Sequence, residues 1–331
     1  MATLNVAVTA TDPTGRVGSG SATITTTSSG IDDGSQNAPA GPPQRPTLLN
    51  PYPFKPSWKV AGVHYAVGPK VAPTKIATAS MSITVANTVV DGFDFSSGGG
   101  FQVNVLAPGV RIINCNFKAG SNAQVPIFSR STDTYVGYCT IDGGTNVNTT
   151  PGALVNSFGV GLRVEYCWLK NAAGDIVDAS EGGVIRVNNN LIENGGGLLG
   201  AHGDWLQLGG TNRPVDVDVR FNTVYQTNVA AGSQGFMLEC NSPQTIAIGK
   251  LLNNTMIAVN TVPPGNFATN FLTGVTQALV TGTVEVKDNF MDKSGSAGGF
   301  MRPGSLSAKV IVTGNKNMIN GKTVNGDNTE T

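Results

Sequence analysis

Three stretches decide the reading: Val187-Asn188-Asn189-Asn190-Leu191-Ile192, Val219-Arg220-Phe221-Asn222-Thr223-Val224 and Leu251-Leu252-Asn253-Asn254-Thr255-Met256. Each sets an apolar residue, two variable residues, an Asn, one more variable residue and a second apolar residue. Working outward, the phrase continues as Val286–Asn289–Met291 and, worn, as Val312–Asn315–Asn317. Upstream, Cys takes the Asn place in Ile112–Cys115–Phe117, Val136–Cys139–Ile141 and Val164–Cys167–Leu169, and Val90–Phe93–Phe95 precedes them. From 93 to 315 the phrase recurs over eight intervals, a mean of about 28 residues, within the range that marks solenoids.

A parallel solenoid explains such a column. Strands one coil apart lie about 4.8 Å from each other, so like side chains stack on like. Asn tolerates the left-handed backbone of a tight bend, and stacked amides bond one another in a ladder. The expected fold is an all-β, right-handed parallel β-helix of about nine coils. Its structural ladder is Cys115, Cys139, Cys167, Asn190, Asn222, Asn254, Asn289 and Asn315. The three in-register cysteines read as a stack of buried thiols, since Cys behaves as a small hydrophobe. A disulfide between neighbours is an open alternative, and Cys240 lies outside the column.

The 331 residues hold 43 Gly and only 13% charged side chains, with 21 basic against 21 acidic. Zero formal charge offers no basic face, so nucleic acid is not an expected partner. No apolar run is long enough to span a bilayer, so no membrane insertion is expected. The start, Met1-Ala2-Thr3-Leu4-Asn5-Val6, has no basic, apolar leader and does not read as a signal peptide.

Residues 1–30 read as a hairpin, Leu4–Thr11 and Ser19–Thr27 about Asp12-Pro13-Thr14-Gly15, that serves as an attachment device. The phrase Val8-Thr9-Ala10-Thr11-Asp12-Pro13-Thr14-Gly15-Arg16-Val17-Gly18 resembles the last hairpin of bacterial immunoglobulin-like modules of surface and virion proteins. Residues 31–60, with Pro39, Pro42, Pro43, Pro46, Pro51, Pro53 and Pro56, read as a semi-rigid arm whose Tyr52, Phe54 and Trp58 cover the first coil. The solenoid is expected over 61–320, and 321–331 as a loose tail.

A second strand of each coil, aligned on its apolar residues, gives an outward polar column of Asn104, Asn156, Asp178, Gln207, Glu239, Thr273 and Arg302. Acids gather at its middle: Asp175, Asp178, Glu181, Asp204 and Glu239, beside His202. Asp175 and Asp204, one coil apart, are spaced for a retaining carboxylate pair or for Ca²⁺. Asp178 and Glu239, two coils apart, approach the spacing of an inverting pair. Trp205 is expected to be packed rather than exposed to a sugar.

The coil pattern resembles the pectin-lyase-like β-helix superfamily over 61–320, and Ala201-His202-Gly203-Asp204-Trp205-Leu206-Gln207 looks like the His-x-Asp-x-x-Gln phrase of some members. The Gly-His-Gly and Arg-Ile-Lys phrases of its polygalacturonases are absent, as are the Asp-His pairing and Arg base of its pectate lyases. The function expected is therefore a structural or adhesive β-helix of a virion or cell surface. It presents Asp175, Gln207, Asn156 and Arg302 to a polysaccharide and contacts other virion proteins or sister chains through residues 1–60, with a homotrimer as one assembly. The alternative is a polysaccharide lyase or glycoside hydrolase using Asp178, Asp204, Glu239 and His202. No cofactor is required by either reading; Ca²⁺ at Asp175 and Asp204 is the one metal considered.

Overall fold

The computed structural model describes residues 41–120, 125–144, 152–197, 203–209, 213–226, 233–238, 245–258, 271–273, 280–292, 300–301 and 308–331, with the backbone of strands 2–11 and 17–26. Those two strands pair antiparallel as a hairpin, Ala2 opposite Thr26. From residue 75 the chain winds as a parallel β-helix, the handedness of twisted parallel strands and their crossovers being right-handed. Three parallel sheets form its walls. Among the described residues, sheet 1 has eight strands from Met81–Ile83 to Leu272–Thr273, sheet 2 has nine from Val89–Asp91 to Val310–Thr313, and sheet 3 has ten from Lys75–Ile76 to Lys316–Asn317.

The interior is built of columns. Val90, Ile112, Val136, Val164, Val187, Val219, Leu251 and Val286 stack from sheet 2, all buried. Aromatic rings follow one another along the axis as well: Phe95 stacks on Phe117 at 4.7 Å, Trp205 meets Phe236 and Phe236 meets Phe271 edge-on at 5.3 Å, and Phe271 stacks on Phe300 at 4.8 Å. Trp205 is packed, as expected, although it shares the outward parity of Gln207; it lies at the irregular step between Asp204 and Leu206 and meets Phe236.

The ladder closes the corner between sheets 2 and 3. Asn190 Nδ2 donates to Val164 O (2.8 Å) and to Asn222 Oδ1 (3.0 Å), which also accepts from the Asn190 backbone N–H (3.0 Å). The same set repeats from Asn222 to Asn254, Asn254 to Asn289 and Asn289 to Asn315. The cysteines continue the column: Cys167 N–H donates to Asn190 Oδ1, and all three thiols are buried and free.

One detail of the expected corner is corrected. The left-handed residue is not the ladder Asn but the residue before it: Gly92, Asn114, Tyr138, Tyr166, Asn189, Phe221, Asn253, Asp288 and Gly314, with φ between 51° and 70°. The bend needs φ > 0 one step earlier so that the ladder side chain turns inward. Three aromatic residues hold this conformation against a steric cost of about 1–2 kcal/mol each. Their rings are engaged outside the corner, Tyr138 stacking on Tyr166 at 5.1 Å and Phe221 meeting Trp58 edge-on at 6.4 Å.

The Pro-rich arm does not cap the first coil. It straps the outer face of sheet 3. Phe54 N–H donates to Met318 O in the last coil, Trp58 packs on Phe290, Tyr65 on Tyr166, and Lys70 N–H reaches Asn114 Oδ1 near the first coils. Arg45 pairs with the buried Glu193 carboxylate, whose other oxygen accepts from Trp168 Nε1 (3.0 Å). The reason is the face itself: Trp168, Leu191, Ile257 and Phe290 point outward and require cover. Prolines lack the N–H that would extend an edge, so the arm lies across side chains instead. Gly62 (φ +73°) lets it lie flat, since a Cβ there would come 2.8 Å from Leu191 Cδ2.

The expected loose tail is a folded cover for the other end. Asn328 Oδ1 accepts from Met301 N–H and its Nδ2 donates to Met301 O, both 2.8 Å, standing in for a further strand of sheet 1. Val324 is buried, and its N–H donates to Asn315 O. An uncovered terminal coil would leave such backbone groups and the core's end unpaired.

Candidate functional site

Sheet 1 carries the expected outward column at Asn104, Asn156, Asp178, Gln207 and Thr273, with one rung added and one displaced. Val103-Asn104-Val105, Ile127-Phe128-Ser129, Val155-Asn156-Ser157 and Val177-Asp178-Ala179 lie in consecutive coils, the outer residue half-exposed between two buried ones. Gln207 follows Asp178, and Met237, then Thr273, follow Gln207. The column therefore runs Asn104, Phe128, Asn156, Asp178, Gln207, Met237.

Two corrections follow. Met237, not Glu239, stands in register with Gln207, because the pairing of Gly203–Leu208 with Ser233–Met237 shifts between Gly203 and Leu206. The expected Asp178–Glu239 pair therefore loses its basis in register. Glu239 itself, like His202, Arg302 and Cys240, lies outside the described residues. The second correction concerns Asp204. It sits at the irregular step and is wholly shielded from solvent, so it is not an outward carboxylate.

The expected adjacency of Asp175 and Asp204 is present, with different chemistry. Asp204 N–H donates to Asp175 Oδ1 at 2.9 Å, and Asp204 O accepts from Ile176 N–H at 2.7 Å. What joins the two coils here is a carboxylate-to-amide hydrogen bond. Among the described residues no three His, Cys, Asp or Glu side chains converge as a metal site.

Asp175 and Asp178 remain as the acids of this face. Burial raises the Asp175 carboxyl to about 7, against the Asp204 N–H that favours its ionised form; the nearby Asp178 charge adds to the rise. Burial also raises Asp178, opposed by the Ser180 hydroxyl, which donates to Oδ1 at 3.3 Å. Asn156 Nδ2 donates to Asp178 Oδ2, also at 3.3 Å. Neither acid has an ion-pair partner among the described residues.

The expected column omits the coil of Ile127-Phe128-Ser129 and with it the aromatic part of the face. Phe128 stands between Asn104 and Asn156, and Phe158, 48% exposed, meets its ring edge-on at 5.5 Å. Arg130 places its guanidinium 4.9 Å from the Phe128 ring centroid. The signal was available: apolar-x-small at 127–129 repeats the pattern at 155–157.

No family model, curated protein or solved structure matches the chain. An in-register row of amides, a carboxylate and a ring, fixed on a stiff sheet, can bind an extended, hydroxyl-bearing polymer. Asp175, raised to about 7, can also exchange a proton near neutral pH.

Proposed function

We propose that this protein is an adhesive or structural β-helix of a virion or cell surface, which presents the outer face of sheet 1 to a surface polysaccharide. One observation carries this: the row Asn104–Phe128–Asn156–Asp178–Gln207, one residue per coil, with Phe158 exposed beside it. Polar groups that fix sugar hydroxyls, alternating with an apolar ring for the sugar's C–H face, form the lining expected of a ligand site. Coil spacing of about 4.8 Å lets successive sugars meet successive rungs. The resemblance of the coil pattern to the pectin-lyase-like superfamily agrees with this reading.

Attachment falls to the N-terminal hairpin. Residues 44–70 are committed to sheet 3 of the same chain, which leaves Ala2–Thr26 for virion proteins or sister chains, including those of a homotrimer. Virion-associated chains lacking residues 1–30 should fail to copurify with particles; undiminished incorporation refutes this attachment role. For the face, immobilised surface polysaccharide should retain the full chain and lose Phe158→Ala, while equal retention of both sinks the assignment.

Glycan cleavage is a second reading, favoured by one fact: Asp175 is poised to titrate near 7 beside Asp178. Release of reducing or unsaturated ends that vanishes in Asp175→Asn, with binding intact, would establish it.

A further inference from the structure

The hydrogen-bond inventory of this face is lopsided. Asp178 spends one lone pair of Oδ1 on Ser180 and one of Oδ2 on Asn156, so each oxygen keeps one to offer. Asn104 Oδ1 and Asn156 Oδ1 have no donor at all among the described residues. Both oxygens are shielded by their neighbours, while Asn156 Nδ2 is held by Asp178. Glu181 adds a further half-exposed acid just past the strand. Against these acceptors, the described outer residues of the sheet supply the Asn104, Asn156 and Gln207 amides as donors and no cation. Arg130 lies over Phe128, and Arg213 lies at the corner beside Gly182.

Resting on the glycan-binding reading above, we infer that the bound polymer is rich in hydroxyl or amino donors and carries no anionic group where it crosses Asp175–Gln207. A uronate or sulfate there would meet two carboxylates that no cation among the described residues pairs with, in a setting half-shielded from water. Vicinal hydroxyls instead complete the free lone pairs of Asp178. A hydrogen bond to an ionised acceptor is roughly twice as strong as a neutral one. The elevation of Asp175 comes mainly from burial, to which the Asp178 charge adds, so the same shielding disfavours a further anion here.

The test compares the full chain's affinity for a neutral mannan or glucan, for a water-soluble chitosan oligosaccharide, and for polygalacturonate, at physiological salt and about pH 8, above the raised value of Asp175. Neutral or amino polymers should bind at least roughly tenfold more tightly than polygalacturonate. Asp178→Asn, nearly isosteric, should weaken the preferred polymer by roughly tenfold, the scale of one charged hydrogen bond, and should improve polygalacturonate binding. Tighter binding of polygalacturonate, or unchanged affinity of Asp178→Asn for the neutral polymer, overturns the inference. Binding to none of the three polymers refutes the glycan-binding reading itself, and the inference with it.

Discussion

Replacing Asn222 by Ala tests the ladder at its centre. The side chain makes four bonds: Oδ1 accepts from Asn190 N–H and Asn190 Nδ2, while Nδ2 donates to Val187 O and Asn254 Oδ1. Removal strips Asn190 N–H of its acceptor in a site closed to water, at about 1–3 kcal/mol. Asn190 Nδ2 keeps Val164 O, and Asn254 Oδ1 keeps the Asn222 backbone N–H, so these are half-satisfied and cost less. With Val187 O and the small cavity included, the loss is about 3–5 kcal/mol. Asn315→Ala removes three bonds, since no further rung accepts from it, and should cost less. Asn222→Asp should be at least as damaging as Ala: its second oxygen would confront Val187 O and Asn254 Oδ1, acceptors both, with a charge buried among them. Equilibrium denaturation in urea followed by circular dichroism measures the differences, or unfolding rates do if refolding fails. An Asn222→Ala variant within about 0.5 kcal/mol of the parent, as expected of a surface substitution, would refute the ladder's energetic role.

Three further outcomes follow from the structure. Trp58→Ala should destabilise by about 2–3 kcal/mol and open residues 44–70 to limited proteolysis, because the ring fastens the strap to Phe221 and Phe290; an unchanged cleavage pattern would contradict the strap. Asp175 is raised above its unfolded value, so the native state holds the extra proton, and its contribution is full below about pH 4 and lost as pH rises through about 7. Asp175→Asn should therefore gain stability on the parent between those values, by a few kcal/mol at most above pH 7, and a parent–variant difference that stays flat across that window would refute the assignment. The thiols of Cys115, Cys139 and Cys167 are sealed in the column, so a maleimide reagent should label none of the three until urea unfolds the chain; rapid native labelling at these positions would contradict the burial.

Much of the fold was legible because a solenoid writes each coil into the chain as a repeat. A column of Asn at matching places fits few architectures besides a stack of coils, and the structure puts Asn190, Asn222, Asn254, Asn289 and Asn315 in mutual hydrogen bonding. Sheet 2 and sheet 3 strands flank that column, so their register came with it. Sheet 1 was harder. Segments of unequal length separate its strands from the ladder, and spacing alone does not fix which residue faces which. Hence Phe128 was passed over and Glu239 was set where Met237 stands.

What the sequence by itself determined is therefore periodic: the coil, its internal ladder and the three thiols sharing that column. Tertiary structure decided everything that depends on two distant segments meeting. It placed the arm on sheet 3, because only the folded helix creates an apolar outer wall there for Pro-rich chain to cover. It folded the tail across the last coil, where Asn328 satisfies Met301. It also enclosed Asp204 while leaving Asp178 outward, a choice made by a local shift of register that no side-chain pattern announces.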